Sequence, residues 1–389
     1  MADLQSLTSR ATVSLERLVA FDTTSRRSNL ELIAFAEAEL ASCGAAVQRI
    51  ANADGSKANL LARIGPAQDG GVLLSGHTDV VPVDGQPWTS DPFTLTRRDG
   101  RLFGRGSADM KAFIALALAA APELAARPLA RPVQFGFTYD EEIGCLGSPG
   151  LIAEIVRNGP RPSAVIVGEP TNMEAVCGHK GIAAFKVTVN GKEAHSSLPH
   201  LGVSAVMEAA PLMVQLAQLA EALERAADPA SPFVPKGPSL TIGQVNGGTA
   251  VNILARECVF LFDLRCPPGF EARAVLAPFF QAVEALDRML KARAPEAGAR
   301  IEARSSTPGM APEPDGEAEQ LARRLAGDNG PRRAVSYAAE AGQFQEAGFS
   351  TVICGPGSIE QAHQPDEYLE VSQLERGALF MSRLVEAMT

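Results

Sequence analysis

At 389 residues the chain has room for two or three domains of about 100–200 residues each, and its 46% hydrophobic and 21% charged residues exclude a disordered protein. Its net charge of −10 argues against a nucleic-acid backbone or an anionic membrane surface as the main partner. Residues 1–25 show no basic stretch followed by an apolar run, so no signal peptide is expected, and the cysteines at 43, 145, 177, 258, 266 and 354 form no C-x-x-C pair, which suits reduced thiols in a cytoplasm.

Helical periodicity covers residues 5–20 and 30–43, with Gly44 placed to stop the second helix. "ANLLARIG" (58–65) and "GVLLSGH" (71–77) read as neighbouring strands. Past the loop "GRGSAD", an Ala-rich run predicts a buried helix over 110–125, shorter than the ~20 apolar residues of a membrane span. "PVQFGFTYDEE" reads as a strand ending in acids, 148–158 as a helix, and "SAVIVGEP" as another strand ending in an acid. Such alternation predicts an α/β domain with a mostly parallel central sheet, whose ligands gather beyond the strand ends. Near residue 180 the pattern changes. An alternating strand "AAFKVTVNG", a helix over 202–226, strands "SLTIGQVNGG" and "ECVFLFDLR", a helix over 270–294 and a strand "ARIEARSS" follow. That βαββαβ order is ferredoxin-like. It is an insertion, because the α/β pattern resumes with "AEQLARRLAG" and "FSTVICGPG" beyond a Pro-rich linker candidate at 307–314. The expected domains are therefore 1–179 with 307–389, and 180–306.

The strand ends of the α/β segment carry His77 and Asp79, then Asp109, Glu141 with Glu142, and Glu169; His363 follows in "GSIEQAHQPDEYLE". Imidazole and carboxylate donors without thiolate suit Zn²⁺, Co²⁺ or Mn²⁺. At i, i+2 on an extended backbone, His77 and Asp79 share a face, so Asp79 could accept the second ring N–H of His77 and fix its tautomer. Glu141 and Glu142, as strand neighbours, would face opposite ways, one free to bind metal and one to act as a base. Each motif alone also fits a plainer role: a capped turn beside a surface histidine, a solvated acidic turn, or an N-cap for Asp109. The repeated event at strand ends weighs more than any member.

Together, "SGHTDVVP", "GRGSADMK", "DEEIGCLG", "GEPT" and "AHQPDEYL" resemble the zinc-dependent M20 amidohydrolases and peptidases over nearly the full chain. Within that family the likeness is greatest to members that deacetylate N²-acetyl-L-ornithine in arginine biosynthesis. Desuccinylases, aminoacylases and dipeptidases are the alternatives. The resemblance implies a zinc-aminopeptidase-like catalytic domain and an inserted dimerisation and lid domain. It also implies two divalent ions, Zn²⁺ with Co²⁺ as a substitute: His77 and Glu169 would hold one, Glu142 and His363 the other, and Asp109 would bridge them. Asp79 would orient His77, and Glu141 would be the general base. Three ligating carboxylates and a hydroxide would balance two divalent ions, which leaves Glu141 over.

The resemblance further implies a cytoplasmic homodimer in which His195 donates to the oxyanion at the partner's active site, while His200 and His179 read as surface histidines. Asn252 and Arg265 match substrate-binding positions. Arg265 suits a carboxylate through its planar fork, with a structural salt bridge as the plainer reading. Ala112 stands where the family often has glycine; its methyl group should be tolerated, though it could narrow the pocket. Glu340, in "SYAAEAGQF", would meet the terminal ammonium of ornithine.

Overall fold

A computed structural model describes residues 4–389. The chain divides into two units, one containing residues up to 178 with 310–334 and 339–389, the other 179–309 with 335–338. The first begins with α1 (Leu4–Val19), α2 (Leu30–Ser42), β1 (Ala46–Ala51), β2 (Ala58–Ile64), β3 (Val72–His77), β4 (Thr96–Arg98), β5 (Arg101–Phe103), α3 (Lys111–Ala125), β6 (Val133–Thr138), α4 (Ser148–Asn158), β7 (Ala164–Pro170) and β8 (Val176–His179). The second supplies β9 (Gly181–Asn190), α5 (Ala205–Arg225), β10 (Ser239–Gly247), β11 (Glu257–Cys266), α6 (Ala272–Val275), α7 (Ala277–Arg293) and β12 (Gly298–Thr307). The first then resumes with α8 (Glu317–Ala326), β13 (Arg333–Val335), α9 (Ala341–Glu346), β14 (Thr351–Gly355), β15 (Tyr368–Glu370) and α10 (Val371–Met388).

In the first unit the main sheet runs β1-β2-β6-β3-β7-β14-β8-β13. Its centre, β6-β3-β7-β14, is parallel, whereas β1, β2 and β6 pair antiparallel, as do β14 and β8. Val72, Leu74, Ala164 and Ile166 join a core cluster with α1, α2, α3, α8 and α10. Leu73 takes the opposite face, where a Cβ added at Gly136 would meet both Leu73 and Leu151 of α4. Burial on both faces explains why these strands read as unbroken apolar runs. It also explains one difference from expectation. β2 and β3 are not neighbours, because β6 lies between them; two fully buried runs do not encode their own pairing partner. Gly44, at φ 77°, follows the end of α2 as expected.

Register brings the functional ends together. His77 is opposite Thr138, and Ser75 is opposite Val167, so β3, β6 and β7 finish at one edge of the sheet. Just before Glu169, Gly168 lets β7 pass directly over α3, since a Cβ there would fall 2.0 Å from the Phe113 ring. A separate antiparallel sheet, β15-β5-β4, pairs Tyr368 with Phe103.

The second unit is an antiparallel sheet, β10-β11-β9-β12, packed on α5 and α7 in the ferredoxin-like order. Along β11 burial alternates, with Cys258, Phe260, Phe262, Leu264 and Cys266 turned into its core. The expected helix over 270–294 is two helices, and Pro278 stands in the first turn of α7, where its missing N–H costs nothing. Among the described residues no helix is long and apolar enough to cross a membrane.

Candidate metal centre

His77 ends β3 and is 1% exposed. Its Nδ1 lies 2.9 Å from the main-chain oxygen of Asp79, and its Nε2 lies 3.0 Å from Asp109 Oδ1 and 3.7 Å from Glu169 Oε1. With Nδ1–H donating to that carbonyl, Nε2 is the ring nitrogen that faces the acids, and it would ligate an ion once its own proton has left. The Asp79 carboxylate is therefore not the partner expected for the ring: it stands 3.7 Å from Nδ1. Instead it accepts from Ser25 Oγ at 2.7 Å and from the amides of Glu141 and Glu142 at 3.0 and 3.3 Å. The strand stops at His77, so the alternation that aligned the two side chains does not continue. Glu141 and Glu142 likewise lie in a turn beyond β6 rather than on a strand, and Asp79 is the anchor of that turn.

Asp109 precedes α3 without capping it; Met110 is the N-cap residue, and it makes no side-chain cap hydrogen bond. The two carboxylate oxygens of Asp109 face different histidines, Oδ1 toward His77 and Oδ2 at 3.4 Å from His363 Nε2. Glu142 Oε2 lies 3.0 Å from that same Nε2. His77, Glu141 and Glu169 form one group of donor atoms within 4.8 Å of one another, and His77, Asp109 and Glu142 form a second. His363 has φ 63° and Asp140, just before the acidic pair, φ 55°, a left-handed backbone that only a few per cent of non-glycine residues adopt. Lys57 bonds the carboxylate of Asp140 and the carbonyl of Ser25, and the thiol of Cys145 donates to Glu141 Oε1 at 3.2 Å. Ser25 was invisible in the sequence, since nothing in "FDTTS" marks it as a partner of a residue 54 positions away.

So many acids in one buried place lift one another. Burial pushes Glu141 up to about 8 and Glu142 up to about 7, with the charge of Asp109 adding to both. Burial and Asp109 raise Glu169 as well. For Asp109, burial is outweighed by hydrogen bonds from His363 and His77, which hold its carboxyl low. Asp109 and Glu142 in turn hold His363 up at about 10 by accepting hydrogen bonds from its Nε2. Burial opposes the charged form of His77, yet the Asp109 hydrogen bond and the charges of Glu169, Asp109 and Glu141 raise it well above the usual value. Glu169 Oε1 is buried with no hydrogen-bond partner. A buried anionic oxygen without a partner is costly, and a divalent cation would satisfy it while reversing the mutual repulsion. The donor set fits such an ion.

Other expected site residues stand elsewhere. Glu340 is not in a substrate-facing loop. It is 1% exposed, and its oxygens accept from Ser75 Oγ at 2.6 Å and Thr138 Oγ1 at 2.8 Å, so it ties the start of α9 to β3 and β6. Burial raises its pKa. Ala112 is fully buried in the core and narrows no pocket. His179 is not a surface histidine either: it is fully buried at the end of β8, its Nδ1 2.9 Å from the Lys180 carbonyl, and burial lowers its pKa to about 4, so it is neutral. His200 is exposed. In the second unit His195 and Asn252 are exposed; His195 Nδ1 accepts from Ser197 Oγ at 2.8 Å, and the Asn252 carbonyl accepts from the Ser196 amide. Arg265 Nε meets Asp263 at 3.1 Å on the same strand.

Comparison with known proteins agrees with this geometry. Residues 73–387 match the model of peptidase family M20/M25/M40. The chain is 36% identical over 377 residues to an acetylornithine deacetylase of Myxococcus xanthus, covering 96% of each. Among solved structures it is similar to an M20 family metallo-carboxypeptidase of Sulfolobus solfataricus, with a TM-score of 0.77 at 16% identity over 97% of this chain and 98% of that one. It is also similar to a dinuclear metal-binding peptidase of the M20 family from Bacillus subtilis, with a TM-score of 0.66 at 17% identity over 99% of both. A family match that spans every strand end of the cluster, and a relative aligned almost end to end, leave one assignment: the chain belongs to peptidase family M20/M25/M40.

Proposed function

We propose that the protein is a metal-dependent hydrolase of the amide bond of an N-acyl amino acid, cleaving N²-acetyl-L-ornithine to L-ornithine and acetate. The observation that carries the reaction class is the placing of Asp109 between two histidines, beside the unpartnered Glu169 oxygen. His77 and Glu169 would hold one divalent ion, Glu142 and His363 the other, and Asp109 both; Zn²⁺ or Co²⁺ suits this donor set. Bound there, such ions supply Lewis acidity toward the amide carbonyl and acidify water toward a pKa of about 7. The substrate assignment is supported by the name and near-complete overlap of the Myxococcus relative.

Glu141 takes the proton of the attacking water and returns it to the leaving amine nitrogen. Asp79, by holding both amides of the turn, keeps that base on a fixed backbone. His195, from the partner subunit of a homodimer formed through the inserted unit, donates to the oxygen that becomes negative as the carbonyl carbon turns tetrahedral. Arg265 and Asn252 take the α-carboxylate of the substrate. With Nε engaged by Asp263, the terminal guanidinium nitrogens of Arg265 are the ones that would form the paired contact.

The test is turnover by chelated and then metal-reconstituted protein on N²-acetyl-L-ornithine, N-succinyl-diaminopimelate, simple N-acyl amino acids and dipeptides. Metal-dependent acetate release from the first substrate, above the others, is expected. Preference for a succinyl or dipeptide substrate would reassign the specificity, and metal-loaded protein inert on all of them would overturn the reaction class.

A further inference from the structure

Glu367 lies four residues beyond His363 and is 1% exposed. Its Oε1 accepts from the backbone amides of Ala108 at 2.8 Å and Asp109 at 3.0 Å. Its Oε2 accepts from the Gly106 amide at 3.0 Å and from Arg105 at 2.7 Å. One carboxylate thus gathers four donors from the loop that ends in the bridging aspartate. The small sheet explains why it can: antiparallel register sets Tyr368 opposite Phe103, so the residue before β15 meets the loop that leaves β5, and the Gly104 amide donates to the Glu367 carbonyl at 2.9 Å.

The same loop is linked back to the second histidine. Arg105, 1% exposed, spends its other terminal nitrogen on Gln86 Oε1 at 2.6 Å, and Gln86 Nε2 donates to the main-chain oxygen of His363 at 2.9 Å. Trp88 supports both, with its ring 5.1 Å from the Arg105 guanidinium carbon and its Nε1–H on Gln86 at 3.0 Å. Three loops that carry or flank ligands, the one after β3, the one before α3 and the one around His363, therefore meet at one buried ion pair.

We propose that Glu367, with Arg105 and Gln86, is the positioning device of the centre: it fixes the backbone of Asp109 relative to that of His363, and so sets the span over which one carboxylate can serve two ions. This rests on the two-ion reading above. The charge is required, since glutamine would turn an NH₂ toward two N–H donors at whichever oxygen it replaced. A brace with only a structural role would lower the unfolding temperature yet leave metal binding by the folded protein unchanged.

The experiment is calorimetric titration of chelated full-length protein with Co²⁺, together with the visible spectrum at saturation, for wild type, Glu367→Gln, Gln86→Ala and His363→Ala. Glu367→Gln should weaken the ion that His363→Ala abolishes by about 10–100-fold, the usual effect of losing a partner behind a ligand, and should alter the Co²⁺ spectrum. Gln86→Ala, which leaves the buried pair intact, should weaken the same ion to a smaller degree. Folded Glu367→Gln with a wild-type isotherm and spectrum would overturn the inference. Should Glu367→Gln fail to fold, a wild-type isotherm for Gln86→Ala would overturn it. Wild-type protein that binds no Co²⁺ would instead overturn the metal-centre reading itself.

Discussion

The α/β unit and the inserted unit present their candidate residues in opposite ways. In the first, His77, Asp79, Asp109 and Glu169 are at most 5% exposed, with His77 facing Asp109 and Asp79 holding the turn of Glu141 and Glu142; only His363, with half of its side chain open, touches solvent freely. In the second, His195 and Asn252 are exposed and Arg265 is partly so. The difference follows from what each group has to hold. Buried acids at a shared site need a counter-charge, and its want is visible as lifted pKa values and an unpartnered oxygen. In the roles proposed for them, His195, Asn252 and Arg265 would meet only substrate, and such groups can be hydrated meanwhile. A metal site leaves a physical imprint on the lone chain, and a substrate clamp need not.

The largest expected effect belongs to the first region. Glu141→Gln should lower kcat by about 10²–10⁴-fold, the range for a positioned base, while both ions still bind; near-wild-type turnover would remove Glu141 from the reaction. His195→Ala should cost about 10²–10³-fold, as for a lost oxyanion donor. Because the side chain is exposed, the unfolding temperature should not change. If activity is also unchanged, His195 takes no part in the chemistry, and the role of the inserted unit rests on Arg265 and Asn252. Arg265→Lys should raise KM for N²-acetyl-L-ornithine by about tenfold, the worth of one charge-assisted hydrogen bond, with kcat little altered.

The smallest effect sharpens the comparison through pH. Glu141, at about 8, and Glu142, at about 7, both lie above the ordinary 4.5. Between about pH 5 and 8 the folded metal-free chain therefore holds protons that the unfolded chain has released, and its stability falls as pH rises. His363, raised to about 10 from 6.5, acts in the same direction at higher pH. Asp109, held low, works oppositely, but only in acid. Thermal unfolding of chelated protein should show a melting temperature a few °C lower at pH 8.5 than at pH 6. Added Zn²⁺ should remove the difference by replacing the protons. A flat profile without metal would mean that the acids do not repel as described.

Much of the fold could be read in the sequence because strands buried on both faces are continuous apolar runs, and because β11 alternates so regularly. Strand order could not, as β6 between β2 and β3 shows. At the site, His77, Asp109, Glu142, Glu169 and His363 were legible as a set of strand-end and loop donors, each ambiguous alone. What escaped was the hydrogen-bonding beneath them. The spacing placed Asp79 near His77 but could not reveal that the chain turns and gives the carboxylate to two amides. Glu340 and His179 were misread for one reason: the local sequence gives no sign that the fold will bury a polar residue against hydroxyls or a carbonyl. Glu367 stood inside a recognisable motif, yet its partners follow only from the pairing of β15 with β5.

The most direct measurement of the central claim is anomalous diffraction at the zinc edge from crystals of metal-reconstituted protein. Two peaks about 3.5–4 Å apart are expected, one against His77 and Glu169 and the other against Glu142 and His363, with Asp109 between them. A single peak, peaks away from these side chains, or an Asp109 carboxylate that meets neither ion would contradict it.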